Sequence, residues 1–406
     1  MFDQKLSAMF SRRTLHPVVI ALGFVSVLCL IYLQSGHHGS LGSVGYPSRS
    51  SPHDLIDDIN NSTLGFQKIF VVGLPQRTDR RDRMILEASL TGLEIEFIDG
   101  VLGKDIVNKS IPMGPNKERM GDPVLGCWRG HMNAIQQIIQ RNITSALILE
   151  DDVDFDVRIR KLMRNFAMGV RTLTQPLTSS LGSFADPSFP LPREQSSQSD
   201  PFTEISFDNL PSTVPPRVSP YGDNWDQLWL GHCGQRFPDG KNKLIPRGRV
   251  IHTGDLSVPQ PRHLWSWPQP FELVERYPEH TRVIHHSQEG VCTLGYAVTQ
   301  KAARQILYEI GLKEVRSAID IMLRWFCEGS EGMAYHRCLT SQPGLFHHHR
   351  PRGPVSAGTD IGDHGDGFRE KALTDMTRWS VMLNADILLE GRTDFVDQFP
   401  DTQDQA

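Results

Sequence analysis

Ser145-Ala146-Leu147-Ile148-Leu149-Glu150-Asp151-Asp152 is the stretch on which the reading of this chain turns. A short apolar run breaks off in three carboxylates, which reads as a buried strand carrying acids to the edge of a sheet. Clustered like charges at such an edge are costly unless a cation neutralises them. Strand alternation would put Glu150 and Asp152 on one face and Asp151 on the other, so that two of the three can share a ligand. Hard oxygen ligands suit Mg²⁺ or Mn²⁺ carrying a diphosphate. The plainer account is the solvated start of a loop or a helix cap. Asp152-Val153-Asp154-Phe155-Asp156 imitates the start of an EF-hand, but Val157 stands at the turn-glycine position and Met163 at the bidentate-Glu position, so that reading fails. A two-metal hydrolase built on Asp152 and Asp154 has no other support in the chain.

Outward from these acids, strand and helix signals alternate. Lys68 to Leu74 reads as a strand, Met84 to Leu90 carries a helix, and Leu93 to Ile98 a second strand. That order predicts an α/β fold with a mostly parallel central sheet. Trp128 to Arg141 has Trp128, Met132, Ile135 and Ile139 spaced for one helical face. Cys292 to Thr299 reads as a strand and Lys301 to Ile310 as a helix. Residues 172–221, rich in Pro and Ser, are expected to be a disordered insertion.

The ends set further expectations. Leu15 to Leu33 is an uncharged, mostly apolar run close to the ~20 residues that cross a bilayer. Lys5, Arg12 and Arg13 precede it, and the next basic residue is Arg49. The positive-inside rule then predicts a cytosolic tail over 1–14, a signal-anchor over 15–33 and a lumenal remainder. A cleaved signal peptide is the rival, disfavoured by the bulky Ile31, Tyr32 and Leu33. Residues 34–64 read as a flexible stem, 65–390 as the folded domain and 391–406 as a polar tail. Sequons at Asn61, Asn108 and Asn142 and five cysteines beyond Cys29 fit a lumenal setting. Five is odd, so at least one of those thiols is free or pairs between molecules. A net charge of −5, with no basic face, excludes nucleic acid as a natural partner. The 16 His and six Cys form no zinc-finger spacing.

Several segments in order resemble glycosyltransferase family 25. They are Leu74 to Arg81, Glu94 to Gly100, Gly126-Cys127-Trp128-Arg129-Gly130-His131, Ala146 to Asp152, Trp225 to His232, and Tyr296-Ala297-Val298. The family includes lipopolysaccharide-type sugar transferases and collagen β-galactosyltransferases. The resemblance spans roughly residues 67–350, broken by the Pro/Ser stretch. It implies a GT-A-type nucleotide-sugar-binding domain, a UDP-hexose donor (galactose or glucose) and transfer with inversion to a glycan, glycoprotein or lipid acceptor. Gly73 and Gly130 depart from it, standing where the family often has Asn and Ser.

Residue by residue, Glu150 and Asp152 match the family's acidic motif and are the expected metal ligands, with Asp151 beside them. Arg77, Arg80 and Arg81 match the arginines after the first strand and suit a diphosphate. An exposed helix start balanced by Asp79 and Asp82 is the plainer account of them. His131, facing inward, is either a core histidine or part of the donor site. His347, in His347-His348-His349, is a candidate late metal ligand, and a polar loop is the simpler account. The proton acceptor is expected at Asp320 or Asp226, with Asp255 competing. Arg350 to Arg369 reads as a mobile flap. Trp265 and Trp267 could stack on an acceptor sugar or pack the domain. The chain ends Thr402-Gln403-Asp404-Gln405-Ala406, without a retrieval tetrapeptide, which favours the Golgi over the endoplasmic reticulum. The competing class is a non-catalytic lumenal carbohydrate-binding or assembly module on a transferase fold.

Overall fold

The computed structural model describes residues 54–114, 118–180, 182–190, 202–267, 269–362 and 365–402. The expected cytosolic tail, anchor and most of the stem lie outside them. Among the described residues no helix is long and apolar enough to cross a membrane.

In chain order the elements are β1 (Lys68–Gly73), α1 (Thr78–Thr91), β2 (Glu96–Asp99), α2 (Asp122–Gln140), β3 (Ser145–Glu150), β4 (Val153–Phe155), α3 (Ile159–Thr174) and β5 (Glu204–Ser206). Then follow β6 (Gln227–Gly231), β7 (Arg249–His252), α4 (Glu272–Arg276), β8 (Arg282–His286), β9 (Gly295–Thr299) and α5 (Gln300–Ile306), which runs on as a π-helix over Leu307–Lys313. The last are α6 (Ile319–Glu328), β10 (Cys338–Gln342), β11 (Phe346–Arg350), β12 (Gly353–Pro354), β13 (Phe368–Arg369), β14 (Leu373–Thr374) and α7 (Ala385–Leu389).

Nine strands form one sheet in the order β2-β1-β3-β9-β6-β10-β8-β7-β5. The expected parallel arrangement is present in β2-β1-β3, and again where β6 meets β10 and β5 meets β7. β9 runs antiparallel to β3 and β6, and β8 antiparallel to β10 and β7. Because β9 reverses between them, β3 and β6 point the same way, and their C-terminal ends share one edge.

Alternation sorts the core. Ile69, Val71, Leu147, Leu149, Leu228 and Leu230 pack on one face with Met84 of α1 and Met163, Phe166 and Val170 of α3. Phe70, Val72, Ala146, Ile148 and Trp229 pack on the other with Trp128, Met132 and Ile135 of α2. Both faces of β1 and β3 are therefore apolar, which is why these strands read as continuous hydrophobic runs. A small second sheet, β14-β11-β4, stands just beyond the acids.

Three expected boundaries are corrected. The stem does not reach 64: Leu55–Asn60 is a 3₁₀ turn capped by Asp54, and Ile56, Ile59 and Leu64 are buried. Residues 172–180, 182–190 and 202–221 are folded rather than a disordered insertion. Asp186 accepts from Gly248 N at 2.8 Å, β5 extends the sheet beside β7, and Tyr221, fully buried, donates to Leu64 O at 2.6 Å. Here order comes from side-chain to backbone hydrogen bonds, which leave no apolar periodicity to read. The polar tail, exposed or half-buried as far as 402, is tied to the domain by hydrogen bonds, with Arg378 bonded to Asp397 at 2.6 and 2.9 Å. Disulfides join Cys233 to Cys292 and Cys327 to Cys338, and Cys127 is free.

Candidate active site

A cavity of about 400 Å³ opens at the C-terminal edge of β1 and β3, the edge at which ligands bind in open α/β sheets. Its walls come from the end of β1 (Val72 to Leu74), the loop Gly100 to Lys104, one face of α2 (Gly126, Cys127, Gly130, His131), the acids Glu150 to Asp152, and Thr359-Asp360-Ile361.

The three acids have three different sets of partners. Asp151 is nearly buried and takes Arg80 at 2.5 Å. Burial, reinforced by Asp152 and Glu150, outweighs Arg80 and pushes its carboxyl up to about 6. Its side chain lies against β1, where a Cβ on Gly73 would fall 2.2 Å from Asp151 Oδ2. The glycine that departs from the family pattern thus makes room for the acid. A Cβ on Gly130 would stand 2.9 Å from Val72, so that glycine lets α2 approach β1.

Glu150, the last residue of β3, accepts from Thr293 Oγ1 at 2.5 Å and lies 3.5 Å from His131 Nε2. His131 is a core residue and a site residue at once: it is 1% exposed, bonded through Nδ1 to the Tyr296 hydroxyl at 3.0 Å, and it lines the cavity.

Asp152 lies in the turn between β3 and β4, so strict alternation stops before it reaches this residue. Burial would raise its carboxyl, but His348, Arg80, Arg350 and Arg83 together hold it below the usual carboxylate range. Arg80 Nη2 is 3.7 Å away. Asp152 Oδ1 and His348 Nδ1 are both buried and have no hydrogen-bond partner among the described residues. Each is a buried polar atom that the described residues leave unsatisfied.

Of the three arginines, Arg80 alone lines the cavity. It also donates to Gly358 O at 3.0 Å. Arg77 is held by Asp79 at 2.8 Å, by Asp360 and by Ala357 O at 3.0 Å, so it anchors the expected flap. Arg81 pairs with Asp99 and covers Phe97, away from the cavity. The described residues of the expected flap are ordered as an arm: β12 and β13 form a two-stranded ribbon, and Thr359 to Ile361 close one side of the cavity.

Other candidates move. His347 points away from the acids: its Nε2 meets Gly344 O at 3.0 Å, and burial, with His232 and Arg282 nearby, depresses its ring to about 3. Its neighbour His348, on the opposite face of β11, acts on Asp152 instead. Asp226 lies at the far edge of the sheet, its Oδ2 accepting from Arg337 N at 3.0 Å and its carbonyl from Thr299 N at 3.1 Å. Thr299 pairs with Ser145 at the start of β3, so roughly 17 Å of strand separates Asp226 from Glu150. Asp320 stands behind the cavity wall, accepting from Cys292 N at 2.9 Å and Ile321 N at 2.8 Å. It holds the loop that presents Thr293 to Glu150. Asp255 is occupied by Arg282 at 2.8 Å and by Ser257.

Residues 66–176 match the model of Glycosyltransferase family 25 (LPS biosynthesis protein). The resemblance to that family holds. The matched segment runs from β1 to α3 and contains Arg80, Cys127, His131 and all three acids. Glycosyltransferase 25 family member of Anopheles gambiae is 27% identical over 132 residues, 29% of this chain and 22% of that protein. Procollagen galactosyltransferase 2 of Mus musculus is 32% identical over 114 residues, 25% of this chain and 18% of that protein. Inactive glycosyltransferase 25 family member 3 of Homo sapiens is 28% identical over 126 residues, 28% of this chain and 21% of that protein. The chain thus spans about a fifth of the length of these relatives.

Proposed function

We propose that this chain is a family 25 glycosyltransferase that moves a hexose, galactose or glucose, from a UDP-sugar to an acceptor hydroxyl with inversion. The observation that carries the reading is the cavity itself. At the edge of β3, inside the segment that matches the family, Arg80 stands 3.7 Å from Asp152, whose Oδ1 lacks a partner. The GT-A description fits a nucleotide seated against the end of β1, as the parallel β2-β1-β3 unit favours.

In this reading the donor carries a hard divalent ion such as Mn²⁺ or Mg²⁺. Asp152 and His348 would hold it through the two unpartnered atoms, with Glu150 on the same wall. When bound, the ion would offset the charge growing on the departing diphosphate. Arg80 is already placed to share that charge, since its guanidinium bridges the acids and the arm. The arm from Gly353 to Arg369 would exclude water over the donor. We place the proton acceptor among the acids that line the cavity rather than at Asp226 or Asp320. Trp265 and Trp267 remain partly exposed beside Cys233 at the end of β6, on the same edge as Glu150. They would offer stacking surface to a glycan, glycoprotein or lipid-linked acceptor. A type II anchor over 15–33 and Golgi or endoplasmic reticulum lumenal placement complete the proposal.

Likeness to a relative named inactive keeps a second reading in view, a non-catalytic lumenal binding or assembly module. Incubation of the full chain in detergent with a UDP-hexose, Mn²⁺ and a panel of hydroxyl acceptors decides between them. Sugar on an acceptor in inverted configuration supports the transferase. Free hexose alone would make the chain a sugar-nucleotide hydrolase, and an unaltered donor would favour the binding module.

A further inference from the structure

Cys127 and His131 sit one turn apart on α2, and Glu150 ends the strand that α2 covers. One ligand atom from each of the three, the thiol sulfur, a ring nitrogen and a carboxylate oxygen, lies within 4.8 Å of the other two. No other described group of three or more such side chains is gathered this closely. Cys127 is also the described cysteine left out of both disulfides.

The surroundings orient the cluster. His131 Nδ1 is 3.0 Å from the buried Tyr296 hydroxyl. With Nδ1–H donated there, the Nε2 lone pair is turned towards Glu150 Oε1 at 3.5 Å and the Thr293 hydroxyl at 3.4 Å. Thr293 in turn donates to Glu150 Oε1 at 2.5 Å. A histidine fixed through its far nitrogen, beside a hydrogen-bonded carboxylate, is the outer-shell arrangement that steadies metal ligands.

The donor set differs in kind from Asp152 and His348. Thiolate with imidazole selects Zn²⁺-class ions over Mg²⁺ or Mn²⁺, which prefer oxygen. Tetrahedral bonds of the usual length would place the three ligand atoms about 3.5 Å apart, the spacing that His131 and Glu150 already have, so the approach on binding falls to Cys127. Because Cys127, His131 and Glu150 all line the cavity, the fourth position would face the donor.

We infer that Cys127, His131 and Glu150 form a second metal site, selective for thiophilic ions such as Zn²⁺.

Cobalt serves as the probe. Titration of the full chain with Co²⁺ is expected to give a thiolate-to-cobalt charge-transfer band and tetrahedral absorption. One equivalent of Zn²⁺ should bleach both, and Mn²⁺ in tenfold excess should bleach neither. Cys127→Ser should lose the charge-transfer band, and Cys29→Ser, which removes the cysteine of the N-terminal run, should keep it. No such band in the native, folded chain overturns the site, as does a band that survives Cys127→Ser. If no UDP-sugar binds under any metal, the donor reading fails while the cobalt spectrum still decides the metal site.

Discussion

Asp152 and Asp154 stand two residues apart beside β11, the first half-buried and the second fully buried, both held below the usual carboxylate range, each beside a histidine. They teach opposite lessons. Asp154 is closed: Oδ1 accepts from Phe155 N at 2.6 Å, Oδ2 from Thr374 at 2.6 Å and from Ser380, with His349 at 3.7 Å. It outweighs its burial by hydrogen bonds that the fold supplies in full. Asp152 outweighs its burial chiefly by charge, from His348 and three arginines, and leaves Oδ1 without a partner. The first acid ties β4 to β14 and to the segment that follows it; the second is unfinished and lines a cavity. Burial and a depressed pKa alone do not mark a site, but an unsatisfied oxygen beside an opening does.

The largest separation between the two should appear on removing the carboxylates. Asp154→Ala orphans Thr374 and Ser380 in the core and is expected to cost about 2–4 kcal/mol of stability in denaturant unfolding. Asp152→Ala should change the unfolding free energy by no more than about 1 kcal/mol, because it removes no comparable set of buried hydrogen bonds. Equal losses for the two would erase the distinction between closed and open acid.

Next comes the histidine pair. His348→Ala should lower Mn²⁺-dependent donor affinity by at least about 10- to 100-fold, the cost of losing even an outer-shell partner of a metal. His347→Ala should leave that affinity unchanged, since His347 faces Gly344 and Arg282. A reversed order would restore the original expectation for His347.

Loss of the Cys233–Cys292 disulfide tests the same edge of the sheet. Replacing both cysteines by serine should cost about 2–4 kcal/mol. Asp320 and Cys292 hold the loop bearing Thr293, so donor affinity should fall as well. Unchanged affinity would detach that loop from the site.

The smallest effect is in pH. Burial would raise Asp255, but Arg282 and Ser257 bring it down to about 2. Its folded value is below its unfolded one, so its stabilisation is present above about pH 4 and lost as pH falls towards 2. The stability gap between native and Asp255→Asn should shrink over that window. Asp151, pushed up to about 6, behaves oppositely: native stability should fall relative to Asp151→Asn as pH rises from about 4 to 6. Acid titrations of both variants check the signs.

Much of this edge was legible in the letters because it is local. The apolar run into Glu150, the arginine after β1 and the face of α2 need only periodicity to read. The parity of the histidines was not, because it depends on how β11 registers against β4, almost 200 residues earlier. Asp226 failed for a related reason: its strand runs parallel to β3, so a residue before it sits at the wrong end. The Pro/Ser stretch concealed its order in side-chain bonds to distant backbone. Alternation predicted a shared face for Glu150 and Asp152, but the strand ends at Glu150 and the turn carries Asp152 to other partners.

The most direct test is calorimetric titration of the native chain and Asp152→Asn with UDP-galactose and UDP-glucose, each with and without Mn²⁺. A sugar nucleotide that binds the native protein in Mn²⁺ and binds Asp152→Asn at least tenfold more weakly would uphold the open acid as the heart of a donor site. Equal binding by both proteins, or none by the folded native chain, would contradict it.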